Sequence, residues 1–110
     1  MRSVPGTVTI SKPSIEAQKD TGPDRGWKVI LFNDDVTPFD VVIHGLQRAA
    51  GLSLEVAEMV ALEAHRENEA VVKRGLTQED AELICERLRQ HTAIPSVCPG
   101  VDCEARADDA

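Results

Sequence analysis

The densest apolar run in the chain, Trp27-Lys-Val-Ile-Leu-Phe32, is rich in β-forming side chains and is stopped by Asn33-Asp34-Asp35. Such a run predicts a buried strand leading into a turn, because Asx side chains bond their own backbone. The period then changes. Phe39, Val42, Ile43 and Leu46 recur at helical spacing, Thr37 and Pro38 supply a capping hydroxyl and a pre-set first residue, and Gly51 offers a left-handed stop. Ser53 caps a second predicted helix reaching about Arg66, with Val56, Met59 and Val60 as its apolar stripe. On its other side Ala57, Ala61 and Ala64 form a face of small residues flanked by His65, so something must approach closely there or a hollow is left.

Ala70-Val71-Val72 reads as a second strand, ended by Lys73-Arg74-Gly75, and Thr77 with Asp80 opens a third helix carrying Ala81, Ile84, Cys85 and Leu88 on one stripe. Ile94 to Val97 is the remaining strand candidate, irregular or at an edge because of Pro95. The order β-α-α-β-α-β predicts an α+β sandwich, a small three-stranded antiparallel sheet packed against three helices.

Composition divides the 110 residues into zones. Residues 1–26 mix Pro and Gly with both charges and read as a flexible N-terminal extension. Residues 27–101 hold nearly all the large apolar side chains and form the domain; residues 102–110 read as an acidic C-terminal tail. The net charge of -7, with no basic cluster longer than Lys73-Arg74, excludes a phosphate-binding face and so a nucleic-acid partner. No apolar run suits a membrane span or a secretory signal, so the expected location is the cytoplasm. The three cysteines, Cys85, Cys98 and Cys103, are an odd number without a CxxC pair, which speaks against a disulfide framework or a zinc site.

The turn Asn33-Asp34-Asp35 has three readings: a carboxylate pair for acid/base work or Mg²⁺, turn formation ahead of a helix N-terminus, or acceptors for a cation. An Asn carbonyl, an Asp carboxylate and a nearby imidazole nitrogen suit an ammonium group with its three donors. His65, beside the alanine face, is the imidazole in question; His44 and His91 have no comparable setting. No glycine-rich phosphate loop or activated nucleophile accompanies these residues, so neither a nucleotide cofactor nor a catalytic residue is expected.

The string Lys28-Val-Ile-Leu-Phe-Asn-Asp-Asp-Val-Thr-Pro38, His65 followed by a short strand, Thr77 with Glu79, Ala81 and Glu82, and Pro95 with Cys98 resemble the ClpS family. These are adaptors of the ATP-dependent Clp protease. The resemblance implies binding of N-degrons, proteins whose first residue is bulky and hydrophobic, and their delivery to a ClpA- or ClpC-type AAA+ unfoldase by a monomeric, non-catalytic protein. It implies that Asn33, Asp34 and His65 hold the substrate's α-amino group. Thr37, Pro38, Phe39, Val42, Ala61, Ala64 and Ser96 would line a hydrophobic pocket, Glu79 would contact the unfoldase, and residues 1–26 would engage it. Where relatives carry Met or Leu this chain has Phe39, Ala61 and Ser96, which implies two smaller walls and a pocket admitting aromatic first residues. Asn68 replaces a glycine and Ile84 a basic residue. The alternative is an interaction domain of similar fold, like the C-terminal domain of the ribosomal stalk protein, which has no need of the three polar residues together.

Overall fold

Strand β1, Trp27–Phe32, is the apolar run read from the sequence, and it occupies the middle of the sheet. The computed structural model describes residues 25–108, so the expected N-terminal extension falls almost wholly outside the described residues. After β1 come α1 (Phe39–Ala50), α2 (Leu54–Glu67), β2 (Glu69–Leu76), α3 (Gln78–Thr92) and β3 (Cys103–Ala107). β1 pairs antiparallel with β2 on one side, Leu31 facing Ala70, and with β3 on the other, Leu31 facing Cys103. The α+β class and its three-stranded antiparallel sheet are as the hydrophobic pattern predicts.

Local signals act where they were read. The Ser53 hydroxyl accepts from Val56 N–H at 3.2 Å and the Thr77 hydroxyl from Asp80 N–H at 3.0 Å, each satisfying an amide the helix leaves unpaired. Gly51 and Asn68 end their helices in the left-handed region, at φ of 69° and 75°. Thr37 differs from expectation: it does not cap α1. The helix begins after Pro38 without a side-chain cap, and the Thr37 hydroxyl donates to Asp34 instead.

The core lies between the sheet and the helices. Val29 and Leu31 meet Leu46 and Ala49 of α1, Ala57 and Val60 of α2, and Ala81, Cys85 and Leu88 of α3. On α2 the stripe shifts: Val56 and Met59 are exposed, and the alanines occupy the interior with Val60. Phe39 is likewise about half exposed at 47%. Close approach explains the α2 pattern, since small side chains bring that helix down onto β1 and β2 and leave little room for larger ones. The same holds where α1 crosses α3. A Cβ on Gly45 would sit 2.5 Å from the Thr92 methyl, so only glycine fits.

The third strand corrects the sequence reading. Residues Ile94 to Cys98 form a tight turn closed by a single bridge, with Ser96 at φ of 67°, and β3 lies instead within the segment expected to be a tail. The domain therefore extends to at least Asp108, whose N–H donates to Gly26 O at 2.7 Å and whose carboxylate meets Lys28 of β1 and Arg74 of β2. The physical reason is an alternation of small inward residues set among the charges. Val101, Cys103 and Ala105 face inward between Asp102, Glu104 and Arg106, the period of a half-buried strand.

Deleting residues 103–110 strips one edge of β1 and the face of α3 that β3 covers. Most of the about 5–15 kcal/mol holding a small domain together should be lost, seen as a missing cooperative thermal transition by circular dichroism. A transition retained within about 5 °C of the full chain contradicts the assignment.

Candidate functional site

The site begins where β1 runs out of partners. Phe32 N–H donates to Asp102 O at 2.9 Å and Asn33 N–H to Asn68 O at 3.0 Å, so the strand is clasped on both sides to its last residue. The next residue closes the turn. Asp34 Oδ1 accepts from Val36 N–H at 2.9 Å and Thr37 N–H at 2.7 Å, and Oδ2 accepts from the Thr37 hydroxyl at 3.0 Å. A carboxylate has about four acceptor positions, so Asp34 keeps capacity on Oδ2 after building the turn. The bend swings Phe39 and Val42 of α1 across the end of the sheet, opposite Ala61, Ala64 and His65 of α2.

Between them is a cavity of about 420 Å³, a size typical of small-ligand pockets. Its wall is apolar where Leu31, Val42, Ala61, Ala64 and Val101 meet. Its polar side carries Asn33, Asp34, Asp35, Thr37 and His65. No lysine or arginine lines it, and among the described residues neither the Asn33 amide nor the His65 ring is engaged in a side-chain hydrogen bond. The polar side thus offers negative charge and open acceptors to a guest, and the apolar side offers hydrophobic burial. A ligand with a cationic group beside a bulky apolar one matches both.

The structure brings together Asn33, Asp34, Thr37, Phe39, Val42, Ala61, Ala64 and His65. Two expected lining residues stand apart. Pro38 leads into α1 with its ring exposed, and Ser96 lies exposed in the turn after α3, beside a separate shallow depression with Val97. The wall assigned to Ser96 is supplied by Val101, because the connection after α3 turns back on itself before the chain rejoins the sheet. Leu31, Phe32, Asp35 and Val101 line the cavity without having been singled out as lining residues. For Val101 the signal was its place at the head of the inward-facing alternation. Glu79 is exposed in the first turn of α3, on an element that does not line the cavity.

Chemistry beyond binding finds few candidates here. None of Cys85, Cys98 and Cys103 lines the cavity, and all three are buried. The hydrogen bond it donates to Cys85, together with burial, pushes the Cys103 thiol well above its ordinary range. Among the described residues no three His, Cys, Asp or Glu side chains converge as metal ligands, and no helix is long and apolar enough to cross a membrane.

Known proteins share this arrangement of elements. The family model of ClpS, ATP-dependent Clp protease adaptor protein, matches residues 22–96. The ATP-dependent Clp protease adapter protein ClpS of Aromatoleum aromaticum is 46% identical over 54 residues, 49% of this chain and 53% of that protein. The match thus spans about half the length of that curated relative. Among solved structures, Agrobacterium tumefaciens ClpS2 bound to L-phenylalaninamide superposes with a TM-score of 0.58 at 28% identity, covering 73% of this chain and 95% of that one.

Asp34 and its neighbour Asp35 separate cleanly by substitution. Asp34→Ala removes three hydrogen bonds of the turn and should cost about 1–2 kcal/mol in urea unfolding, whereas Asp35→Ala, exposed, should stay within about 0.5 kcal/mol. Equal costs contradict the turn-building role.

Proposed function

Because the chain belongs to the ClpS family of ATP-dependent Clp protease adaptor proteins, we propose that it binds proteins bearing a bulky hydrophobic first residue and delivers them to a Clp AAA+ unfoldase. The observation that carries this reading is a single cavity with open acceptors on one side and apolar walls on the other. An N-terminal residue presents the matching pair on one carbon, an α-ammonium with three donors and an apolar side chain. Asn33, Asp34 and His65 receive the ammonium; Thr37, Phe39, Val42, Ala61, Ala64 and Val101 receive the side chain. The phenylalaninamide named with the similar ClpS2 structure has a free amino group and a benzyl side chain, the same chemistry.

Specificity follows from the geometry. Internal residues lack the ammonium, and acetylation removes its charge and two of its donors. A β-branched first residue would crowd a pocket suited to a methylene at Cβ. In this reading the chain catalyses nothing. It works as a monomer in the cytoplasm, with Glu79 on the outer start of α3 and residues 1–26 meeting a ClpA- or ClpC-type unfoldase.

Fluorescence-anisotropy titration at pH 8 tests the reading. Peptides beginning with free Leu, Phe, Tyr or Trp should bind, and acetylating the same peptides should weaken binding by at least about 100-fold, since charged hydrogen bonds carry about 1.5–3 kcal/mol each. His65→Ala removes one of the three acceptors offered to the ammonium. Affinity for the free peptides should then fall about tenfold while the domain stays folded. Affinity unchanged by acetylation removes the amino-group site and leaves an interaction domain of the stalk-protein kind. Unchanged affinity in His65→Ala removes His65 alone from the ammonium-binding set.

The small residue at Ala61 makes a second outcome. Phe and Trp should bind at least as tightly as Leu, and Ala61→Met should cost the Trp-first peptide about tenfold more than the Leu-first one. Stronger binding of Leu than of both aromatics in the unmodified protein contradicts a widened pocket.

A further inference from the structure

Thr92, the last residue of α3, is fully buried at 0% exposure although it is polar, and it does not line the cavity of the site. Its hydroxyl donates to Leu88 O at 2.6 Å and accepts from Val101 N–H at 2.9 Å. The first bond is a common one for a helical threonine and needs no partner from outside the helix. The second reaches nine positions ahead, across the whole connection between α3 and β3, to the residue that forms one wall of the proposed pocket.

The surroundings leave this hydroxyl little freedom. Its methyl nests against Gly45, where a Cβ would come within 2.5 Å, so neither α1 nor α3 can shift toward the other. The Cys98 thiol donates to Thr92 O at 3.3 Å, folding the intervening turn back on the helix end. Gly100, at φ of 106°, packs so tightly on Arg89 that a Cβ there would lie 2.5 Å from its carbonyl oxygen. On the far side Arg89 donates to Cys103 O at 2.8 Å. Val101 is therefore held between two fixed points, and its own amide is fixed by Thr92. Without the hydroxyl a buried N–H would lack a partner, and the chain would have to move to give it one.

We propose that Thr92 is a positioning residue for specificity: its hydroxyl sets where Val101 stands in the pocket wall and thereby which first residues the pocket ranks highest. This rests on the reading of the cavity as a site for N-terminal residues. The ammonium end is built from the turn after β1 and from α2, elements Thr92 does not touch, and Asp102, next to Val101, is held separately by Phe32 N–H, so recognition of the free amino group and ranking of side chains are separable.

The test compares Thr92→Val, nearly the same shape without the hydroxyl, with Thr92→Ser, which keeps the hydroxyl and gives up the methyl. Anisotropy titrations would use Leu-, Phe- and Trp-first peptides, each free and acetylated. In Thr92→Val the ratio of Phe to Leu affinity should change by about threefold to tenfold, while the free-to-acetylated ratio stays within about twofold of the unmodified chain. Thr92→Ser should keep the original ranking. If Thr92→Val does not fold, Thr92→Ala, which also lacks the hydroxyl but adds no methyl against Val101, takes its place in the comparison. An unchanged ranking in the hydroxyl-less variant overturns the proposal, and so does a ranking altered as much by Ser as by Val. Loss of free-over-acetylated discrimination in the unmodified protein is a different failure, because it overturns the reading of the cavity itself.

Discussion

Two backbone hydrogen bonds at the end of the central strand, from Phe32 to Asp102 and from Asn33 to Asn68, hold up everything that follows. They tie the last residues of β1 to the segments flanking β2 and β3, so Asn33 and Asp34 leave a rigid platform rather than a frayed end. From there the Asp34 carboxylate bends the chain through three short bonds, and the bend alone decides how far Phe39 and Val42 stand from the alanines of α2. A loop of the same length without that carboxylate would place the same side chains with much less precision, because a flexible turn has many conformations and this one has its amides already claimed.

An open apolar cavity is costly to maintain, since each missing side chain forfeits contacts that a filled core would have. Here the expense is confined to one end of the sheet. Farther along, Val29, Leu46, Leu88 and Ala81 are wholly buried and pack the other end solidly, with Gly45 letting α1 and α3 meet at close range. Ala57 is pure core, whereas Ala61 and Ala64 have two jobs that pull together. They let α2 lie close to the sheet, which adds packing, and beside His65 they leave space, which makes a site.

Much of this was legible in the sequence because it is local. The strand ended by Asx residues, the caps at Ser53 and Thr77 and the left-handed Asn68 depend on neighbours a few residues away, and each acts as its residue type dictates. The alanine face beside His65 could be read from helical spacing. What was missed is non-local or masked by charge. Thr37 looked like a cap because it stands before a helix, yet the carboxylate three residues earlier claims its hydroxyl. Val56 and Met59 share an apolar stripe with Val60 by spacing, but of the three only Val60 enters the interior, which otherwise takes the alanines where the helix lies closest. The third strand hid in an acidic end whose inward positions are valine, cysteine and alanine, too small to stand out as a hydrophobic run. Misplacing it also misplaced a pocket wall, from Val101 to Ser96.

The architecture also bears on why an α-ammonium, and not any ammonium, would suit the proposed site. A lysine side chain carries the same three donors, but its charged end terminates an unbranched chain, so nothing apolar stands beside the charge. In this cavity the acceptors of Asn33, Asp34 and His65 and the walls of Leu31, Val42 and Ala61 border one continuous space. Filling both sides at once requires a carbon that bears the ammonium, a bulky apolar group and a third substituent leading out to solvent. Only the first residue of a polypeptide has that combination among protein groups. Either half of the interaction alone is weak: an exposed ion pair contributes about 0–1 kcal/mol, and an apolar group inserted without its ammonium would leave the Asp34 charge partly desolvated. Discrimination would then arise from the requirement that both halves be met together, and it depends on both being fixed in one frame by the end of β1.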